Sequence, residues 1–185
     1  DKLNVEITGE FENDDEAVNL GDSVLISLMV NFPFSSLDAV IWTPTELIDC
    51  DTCPNFYITP TQSSQLTVTV EQGVCSATDE LNIFVRKNRP VYVPNAFSPN
   101  NDGTNDKLII YGGNSVAQVK NFLILNRWGE TIWQYRNFQP GEPASGWDGF
   151  YRGELMDAGV FVWFAEVEFI DGETEIFEGD VILMR

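Results

Sequence analysis

The stretch VYVPNAFSPNNDGTNDKL, residues 91–108, contains the densest chemistry in the chain. It begins with Val91, Tyr92 and Val93, which are β-branched or aromatic and favour a strand. Pro94 has no amide hydrogen to donate to a neighbouring strand, so the strand ends there or lies at a sheet edge. The run NNDGTND, residues 100–106, has almost no apolar area, and its Asn, Asp and Gly residues favour a tight turn. We therefore predict a strand followed by a turn, and we call residues 100–106 the polar turn.

The polar turn brings several side-chain oxygens close together. Asn100, Asp102, Asn105 and Asp106 are candidate ligands for calcium, because hard cations prefer oxygen ligands. The turn is not an EF-hand loop, since Tyr111 stands where that loop has its twelfth-position glutamate. The alternative is a structural clasp, with or without calcium, in which the carboxylates accept backbone N–H groups.

The motif PNAFSPN followed by NDGTND, residues 94–106, resembles the opening of the gliding motility-associated C-terminal domain. That family is the type B sorting domain of the type IX secretion system of Bacteroidota. Three later segments resemble it too: NRWG at 126–129, GWDG at 146–149, and a closing strand at 181–185 that ends in Arg185. The resemblance spans roughly half of the chain, from residue 90 to the end.

This resemblance implies a secretion and surface-attachment signal rather than catalysis. The implied partners are the type IX translocon and an outer-membrane barrel protein that serves type B substrates. The passenger is expected to cross the periplasm and the outer membrane and to end at the cell surface or in the medium. The candidate residues for partner recognition are Arg127, Trp128, Trp147, Asp148 and Arg185.

Trp128 stands at a predicted turn, where a tryptophan is costly to expose. One interpretation is that Trp128 folds back on the sheet against the turn at Trp147, with Arg127 stacked on it or paired with Asp148. The other is that Arg127 and Trp128 form a docking patch for the secretion machinery. Gly129 is placed to take a positive φ in this turn.

The composition restricts the possible partners and reactions. Acidic residues outnumber basic ones 29 to 10, so the net charge is −19, which disfavours binding to nucleic acid or anionic lipid. The absence of histidine excludes Ser-His-Asp and Cys-His nucleophiles and histidine-ligated metal sites. No apolar run approaches the ~20 residues of a membrane helix, so direct membrane insertion is not expected. We expect a monomer without enzyme activity.

Residues 1–87 are predicted to form a first domain. Alternating apolar residues predict strands near 3–7, 24–30, 39–43, 66–70 and 81–85, with connections at 11–19 and 45–60. This part resembles the immunoglobulin-like or polycystic-kidney-disease-like repeats that often precede the sorting domain. Trp42 lies in the third of these strands and is expected to be a core residue. Because the chain starts at Asp1 without a methionine, we expect it to be a piece of a longer protein.

The three cysteines are Cys50, Cys53 and Cys75. They are too few for a zinc site of four cysteines. The C-x-x-C at 50–53 precedes Pro54 in a loop, whereas a redox C-x-x-C normally opens a helix. One structural disulfide is therefore expected. A bridge to Cys75 is possible, but we favour the pair Cys50 and Cys53.

Residues 88–185 are predicted to form a second all-β domain. Strands are expected at 91–93, 108–111, 119–125, 131–135, 150–151, 159–170, 176–177 and 181–184, with 159–170 the longest. The predicted fold is thus two antiparallel β-sandwich domains in tandem. A rival function is an adhesin or carbohydrate-binding sandwich whose exposed aromatic residues stack on sugar. Solvent-facing tryptophans clustered in a groove would favour that rival, and buried tryptophans would favour the sorting signal.

Overall fold

The computed structural model describes residues 2–11, 16–48, 50 and 53–185, without the side chain of Glu46. Within these residues, all regular structure is β-strand apart from short 3-10 turns at Phe34–Ser36, Thr45–Leu47 and Pro143–Ser145. The prediction of an all-β chain is therefore confirmed. The chain divides into two compact units, Asp1–Asn88 and Arg89–Arg185. A search of the described residues for an apolar helix of membrane-spanning length finds none.

The first unit consists of two packed sheets. Its strands are β1 (Val5–Glu10), β2 (Ala17–Asn19), β3 (Val24–Val30), β4 (Ala39–Thr43), β5 (Asn55–Ile58), β6 (Ser64–Gln72) and β7 (Cys75–Arg86). One sheet has the order β1-β3-β5 and the other the order β2-β7-β6-β4. Alternate apolar residues of both sheets form one core. Strands β1, β3 and β5 correspond to A, B and E of an immunoglobulin-type sandwich, and β4, β6 and β7 correspond to C, F and G, with β2 as an additional edge strand beside β7.

Trp42 on β4 is buried in this core, and its ring meets that of Phe56 edge to face at 5.1 Å between centroids. A buried tryptophan on the C strand is a hallmark of the immunoglobulin-type sandwich. Strands β3 and β6 carry no cysteine, so the usual disulfide between the sheets is absent. Instead, the sulfur atoms of Cys50 and Cys53 are bonded within the connection between β4 and β5, and Cys75 is free and exposed.

Two short strands of the first unit lie where connections were expected. Strand β2 lies in 11–19 and pairs in parallel with β7, with Ala17 opposite Phe84; residues 12–15 of that connection lie outside the described residues. Strand β5 lies in 45–60 and pairs with β3. Both strands are too short for apolar periodicity to identify them, and their pairing depends on neighbours that are distant in sequence.

The second unit is built on one five-stranded sheet. Its strands are β8 (Val91–Tyr92), β9 (Ala96–Phe97), β10 (Tyr111–Gly112), β11 (Val116–Leu125), β12 (Thr131–Phe138), β13 (Phe150–Tyr151), β14 (Glu154–Leu155), β15 (Gly159–Phe169) and β16 (Thr174–Leu183). The sheet has the order β12-β11-β15-β16-β9, and β8 pairs with β10 and β13 with β14. Strand β9 runs parallel to β16. The sheet of the second unit is therefore antiparallel, as predicted, except for this one parallel pair of strands.

Several boundaries in the second unit differ from the prediction. Leu108 makes only an isolated bridge to Trp147, and regular pairing resumes at Tyr111, so residues 108–111 are not one strand. Leu108 and Ile110 are nevertheless fully buried, and the apolar sequence reflects this burial. Strand β16 is continuous through 174–183, so the two strands expected at 176–177 and 181–184 are one. Strand β15, with 11 residues, is the longest strand of the second unit, as predicted.

Arg89, at the start of the second unit, is held by a cluster of charged and aromatic groups. Its guanidinium lies 2.7 Å from the Asp171 carboxylate and also donates to Glu175. The same group lies over the Phe169 ring, 4.9 Å from the centroid. These three residues belong to β15, β16 and the turn between them, so the cluster attaches the beginning of the unit to its central hairpin.

Candidate functional site

The polar turn is closed by its own side chains. The Asp106 carboxylate accepts the N–H groups of Asn101 at 2.6 Å and Gly103 at 2.8 Å. The Ser98 N–H donates to the Asn105 carbonyl at 3.0 Å. Asn101, Gly103 and Asn105 all have positive φ, which Asn and Gly tolerate better than most residues. The local sequence therefore suits this backbone.

Asp102 closes the middle of the polar turn. Its carboxylate accepts the side-chain amide of Asn100 at 2.9 Å and the N–H of Thr104 at 2.8 Å. The Asn100 amide, and after it the Thr104 N–H, holds the pKa of Asp102 below its usual range. The Asp102 N–H in turn donates to the Asn100 side chain at 3.1 Å.

This geometry supports the clasp interpretation, because the carboxylate oxygens of Asp102 and Asp106 already accept hydrogen bonds from the turn. Among the described residues, no three Asp, Glu, Cys or His side chains are grouped so as to hold a metal ion. Calcium binding by Asn100, Asp102, Asn105 and Asp106 stays a prediction. A melting temperature that rises with added calcium and falls with chelator would support it.

Leu108, two residues after the polar turn, pairs with the GWDG turn at 146–149. Leu108 and Trp147 exchange backbone hydrogen bonds of 2.8 and 3.1 Å. The Trp147 ring lies 5.2 Å from that of Phe97 and 4.9 Å from that of Phe161, measured between centroids. Gly149, two residues after Trp147, lies close to Pro99. A Cβ added to Gly149 would lie 3.0 Å from the Pro99 Cγ. Two motifs that are 40 or more residues apart in sequence thus pack together.

The closing strand joins the same assembly. The Ile182 N–H donates to the Asn95 carbonyl, and the Met184 N–H donates to the Phe97 carbonyl, each at 2.9 Å. Leu183, between them, is fully buried. The PNAFSPN motif, the polar turn, the GWDG turn and the closing strand therefore form one continuous structure in the second unit.

Trp147 was predicted to recognise a partner, and the structure corrects this prediction. Its side chain is fully buried, and its indole N–H donates to the Phe150 carbonyl at 3.0 Å. Trp147 therefore cannot contact a partner unless the core opens. Its neighbour Asp148 is more accessible: its carboxylate accepts the Phe150 N–H at 3.1 Å. Asp148 also borders a groove of about 390 Å³ together with Asn100 and Asp106.

The NRWG motif forms the tight turn between β11 and β12. The Asn126 side chain accepts the N–H groups of Trp128 and Glu130, each at 3.0 Å, and Gly129 has a φ of +80° as predicted. Trp128 is 80% exposed. The Arg127 guanidinium lies over the Trp128 ring at 5.3 Å from its centroid.

The interpretation that Trp128 folds back against the turn at Trp147 is therefore wrong. Trp147 itself fills the core, and the Asn126 hydrogen bonds keep Trp128 at the tip of its turn. The expected stacking of Arg127 on Trp128 is present, but no ion pair with Asp148 is found among the described residues.

A groove opens beside Trp128. It has a volume of about 460 Å³ and is lined by residues 126–128, 151–152 and 154–161. We call it the tryptophan groove. At its edge, the Tyr151 hydroxyl donates to Glu130 at 2.7 Å and holds the pKa of Glu130 below its usual range. Arg152 lies 3.7 Å from the same carboxylate.

The tryptophan groove also gathers residues that the sequence did not connect with NRWG. Arg185 donates to the Met156 carbonyl at 3.2 Å and to the Asp157 carboxylate at 3.3 Å, and both of these residues line the groove. Arg127, Trp128 and Arg185 therefore belong to one region of the surface. Tyr151, Arg152 and Met156 carry no local sequence signal for this role, because only the β13–β14 hairpin brings them here.

The burial of the tryptophans bears on the rival carbohydrate-binding function. Trp42 and Trp147 are buried, and Trp133 and Trp163 are half-buried. Trp128 is the most exposed of the five, so the described residues offer one exposed tryptophan rather than a cluster. Because a sugar-binding groove would need clustered solvent-facing tryptophans, this distribution favours the sorting signal.

Comparisons with solved structures find remote likenesses. Fibronectin(III)-like modules of CbhA from Clostridium thermocellum align with 14% identity and a TM-score of 0.33, covering 97% of this chain and 93% of that one. Dimeric latent PorU from Porphyromonas gingivalis aligns with 11% identity and a TM-score of 0.36, covering 98% of this chain and 20% of that one. With TM-scores this low, neither likeness carries an argument. No curated protein matches the chain significantly.

A comparison with protein families is decisive for the second unit. The model of the CHU_C Type IX secretion signal domain matches residues 91–183, just over half of the chain. The matched segment contains the polar turn, the NRWG and GWDG turns and most of the closing strand. It indicates no enzyme family. The chain therefore belongs to the CHU_C type IX secretion signal domain family.

Proposed function

We propose that this chain is the C-terminal sorting signal that directs a large passenger protein through the type IX secretion system to the cell surface or the medium. The observation that carries the proposal is the family match over residues 91–183. The packing of the separated motifs into one structure supports it, because a folded signal presents a defined surface to its receptor.

The proposed partners are the translocon and an outer-membrane barrel protein that serves type B substrates. Arg127, Trp128, Asp148 and Arg185 are the proposed contact residues, since their side chains are at least partly accessible. Trp147 supports the site only from within the core. The first unit acts as a spacer, and the chain works as a monomer.

Export of a reporter tests this function. The reporter is fused to residues 1–185, 88–185 or 1–87 and expressed in a host with a type IX system, with a translocon-deficient strain as control. We expect 1–185 to bring the reporter to the surface or medium only in the intact host, and 88–185 to retain this ability. Residues 1–87 should leave the reporter in the periplasm. Export by 1–87 alone, or export of 1–185 without the translocon, would overturn the proposal.

The exposed Trp128 beside a groove is the one observation that favours the rival carbohydrate-binding function. Titration of the purified chain with soluble glucans separates the two candidates. Saturable glucan binding that Trp128→Ala abolishes, in a chain that does not export a reporter, would establish the rival.

A further inference from the structure

We propose that the tryptophan groove binds a short peptide segment of the secretion machinery in which a carboxylate side chain stands beside an apolar one. This inference rests on the proposed function, because it names the surface and the partner chemistry of the sorting signal. The proposed occupant is a peptide, not a sugar or a second copy of the chain.

The groove offers an apolar surface for one side chain of such a peptide. Trp128 is 80% exposed at the tip of a hydrogen-bonded turn, and Leu155 and Val160 are exposed on the groove wall. Phe161, buried beneath them, completes the apolar lining. The volume of about 460 Å³ lies within the range of roughly 300–1,000 Å³ that is typical of ligand-binding clefts.

The charges around the groove differ from those of the whole chain. Three basic residues, Arg127, Arg152 and Arg185, lie at this groove or contact its lining, against three acidic ones, Glu130, Glu154 and Asp157, so the region is close to neutral although the chain has a net charge of −19. Arg152 faces Glu130 at 3.7 Å and Arg185 faces Asp157 at 3.3 Å.

Arg127 differs from the other two cations of the groove. No carboxylate lies within 4.0 Å of its guanidinium in the part of the chain that the structure describes. Its guanidinium lies over the Trp128 ring, 5.3 Å from the centroid, and its N–H groups make no hydrogen bond within the described residues, so they remain available. An arginine in this state is complementary to a carboxylate, which it can bind through two parallel hydrogen bonds.

The overall charge also decides between classes of anion. A polyanion such as nucleic acid would be repelled by the net charge of −19, whereas one carboxylate in an otherwise neutral peptide meets little of this repulsion. A neutral sugar would use the Trp128 ring face without needing Arg127. A dependence on both residues therefore distinguishes the proposed peptide from a sugar.

The first test measures export of the reporter fused to residues 1–185. We expect Trp128→Ala and Arg127→Glu each to reduce export at least about fivefold, and Arg127→Lys to retain more export than Arg127→Glu. Tyr92→Ala is the matched control, because Tyr92 is an exposed aromatic residue of the same unit that lies outside the groove. An unchanged melting temperature confirms that each variant is folded.

The outcomes of this test separate the two proposals. If the unaltered chain does not export the reporter, the proposed function fails. If the unaltered chain exports it and folded Trp128→Ala and Arg127→Glu export it equally well, the groove inference fails while the function stands. An equal loss in Tyr92→Ala would also overturn the assignment to this groove.

The second test uses purified chain and a labelled, end-blocked octapeptide in which one aspartate stands beside one leucine and the other residues are glycine and serine, followed by fluorescence anisotropy. We expect saturable binding that weakens at least tenfold in Arg127→Glu and in Trp128→Ala, and that is lost when the aspartate is replaced by asparagine. Equal binding of both peptides would overturn the inference. Preferential binding of a neutral glucan hexasaccharide, or self-association of the chain that Trp128→Ala abolishes, would assign the groove to another occupant.

Discussion

The carboxylates of the polar turn act on the backbone beside them, and their positions explain why the turn has its shape. Asp106 binds the N–H groups of Asn101 and Gly103, while Asp102 binds the N–H of Thr104 and the amide of Asn100. Short acidic and amide side chains form such local bonds readily, and here they reach backbone N–H groups two, three and five residues away.

Because the pKa of Asp102 is lowered in the folded chain, we expect the contribution of this residue to stability to depend on pH. Because the folded chain holds the pKa below the unfolded value of about 3.9, the ionised group stabilises the fold above that value. This stabilisation is lost as the pH falls through the folded pKa. The melting temperature of Asp102→Asn should therefore lie below that of the unaltered chain near pH 7, and the difference should shrink as the pH falls below about 4. A difference that stays constant at still lower pH would contradict this.

Arg89 is the residue whose loss should most weaken the second unit through electrostatics. Arg89→Met removes the guanidinium from Asp171, whose side chain is 5% exposed, and leaves a buried carboxylate without it. We expect a loss of about 2–3 kcal/mol in the free energy of unfolding, measured with urea. The exposed pair of Arg152 and Glu130 is the control, since solvent screens it and Arg152→Met should therefore cost much less than Arg89→Met. Equal stability of the two variants would refute the role of Arg89.

At the scale of elements, the second unit depends on turns that pack against strands. The GWDG turn packs at Gly149 against Pro99 and against Leu183 of β16. The polar turn, in contrast, projects from the core at Gly103, with no atom within 4 Å of the place where a Cβ would be. Substitutions at Gly103 and Gly149 therefore separate the cost of backbone strain from the cost of overpacking.

We expect Gly149→Ala to destabilise the second unit more than Gly103→Ala. Both residues have positive φ, +81° and +86°, so alanine strains the backbone by about 1–2 kcal/mol at either position. At Gly149 the added Cβ would also lie 3.0 Å from Pro99 and 3.1 Å from Leu183, which adds about 1–3 kcal/mol of overpacking. Thermal unfolding of both variants measures the difference.

Gly103→Val extends this comparison. A β-branched residue resists positive φ more strongly than alanine, so Gly103→Val should be less stable than Gly103→Ala. Wild-type stability in both Gly103 variants would show that the polar turn does not require glycine at the positive φ of position 103.

At the scale of the whole molecule, the two units have separate cores and separate constraints. Cys50 and Cys53 are only three positions apart in the sequence, so the bond between them closes a very short loop and restricts the unfolded chain little. Reduction should therefore lower the stability of the first unit by less than the ~3 kcal/mol typical of a 15-residue loop. Hydrogen exchange, which follows each unit separately, should show no change in the second unit.

The cysteine pairing can be checked directly. Mass spectrometry after thiol labelling of the air-exposed chain should find one reactive cysteine, Cys75, because that side chain is free and exposed. Three labelled cysteines would refute the pairing. A label on Cys50 or Cys53 with Cys75 protected would instead support a bridge to Cys75.

The class of fold and the family follow from local patterns in the amino-acid sequence. Long strands such as β3 and β15 are recognisable because every second residue is apolar, and this alternation is a local property of the chain. The motifs at 94–106, 126–129 and 146–149 are local too, since turn residues act on their own backbone. The closure of the polar turn and the positive φ of Gly129 are therefore predictable from the residue types alone.

The accessibility of the motif residues, in contrast, depends on the tertiary structure. Trp128 and Trp147 both stand in turns followed within two residues by glycine, yet Trp128 is exposed and Trp147 is fully buried. The difference arises from the bridge between Leu108 and Trp147 and from the packing against Phe97, contacts between distant parts of the chain. Short strands such as β9 depend on the same kind of contact. Burial and pairing of this kind are properties of the assembled core, so no local pattern specifies them.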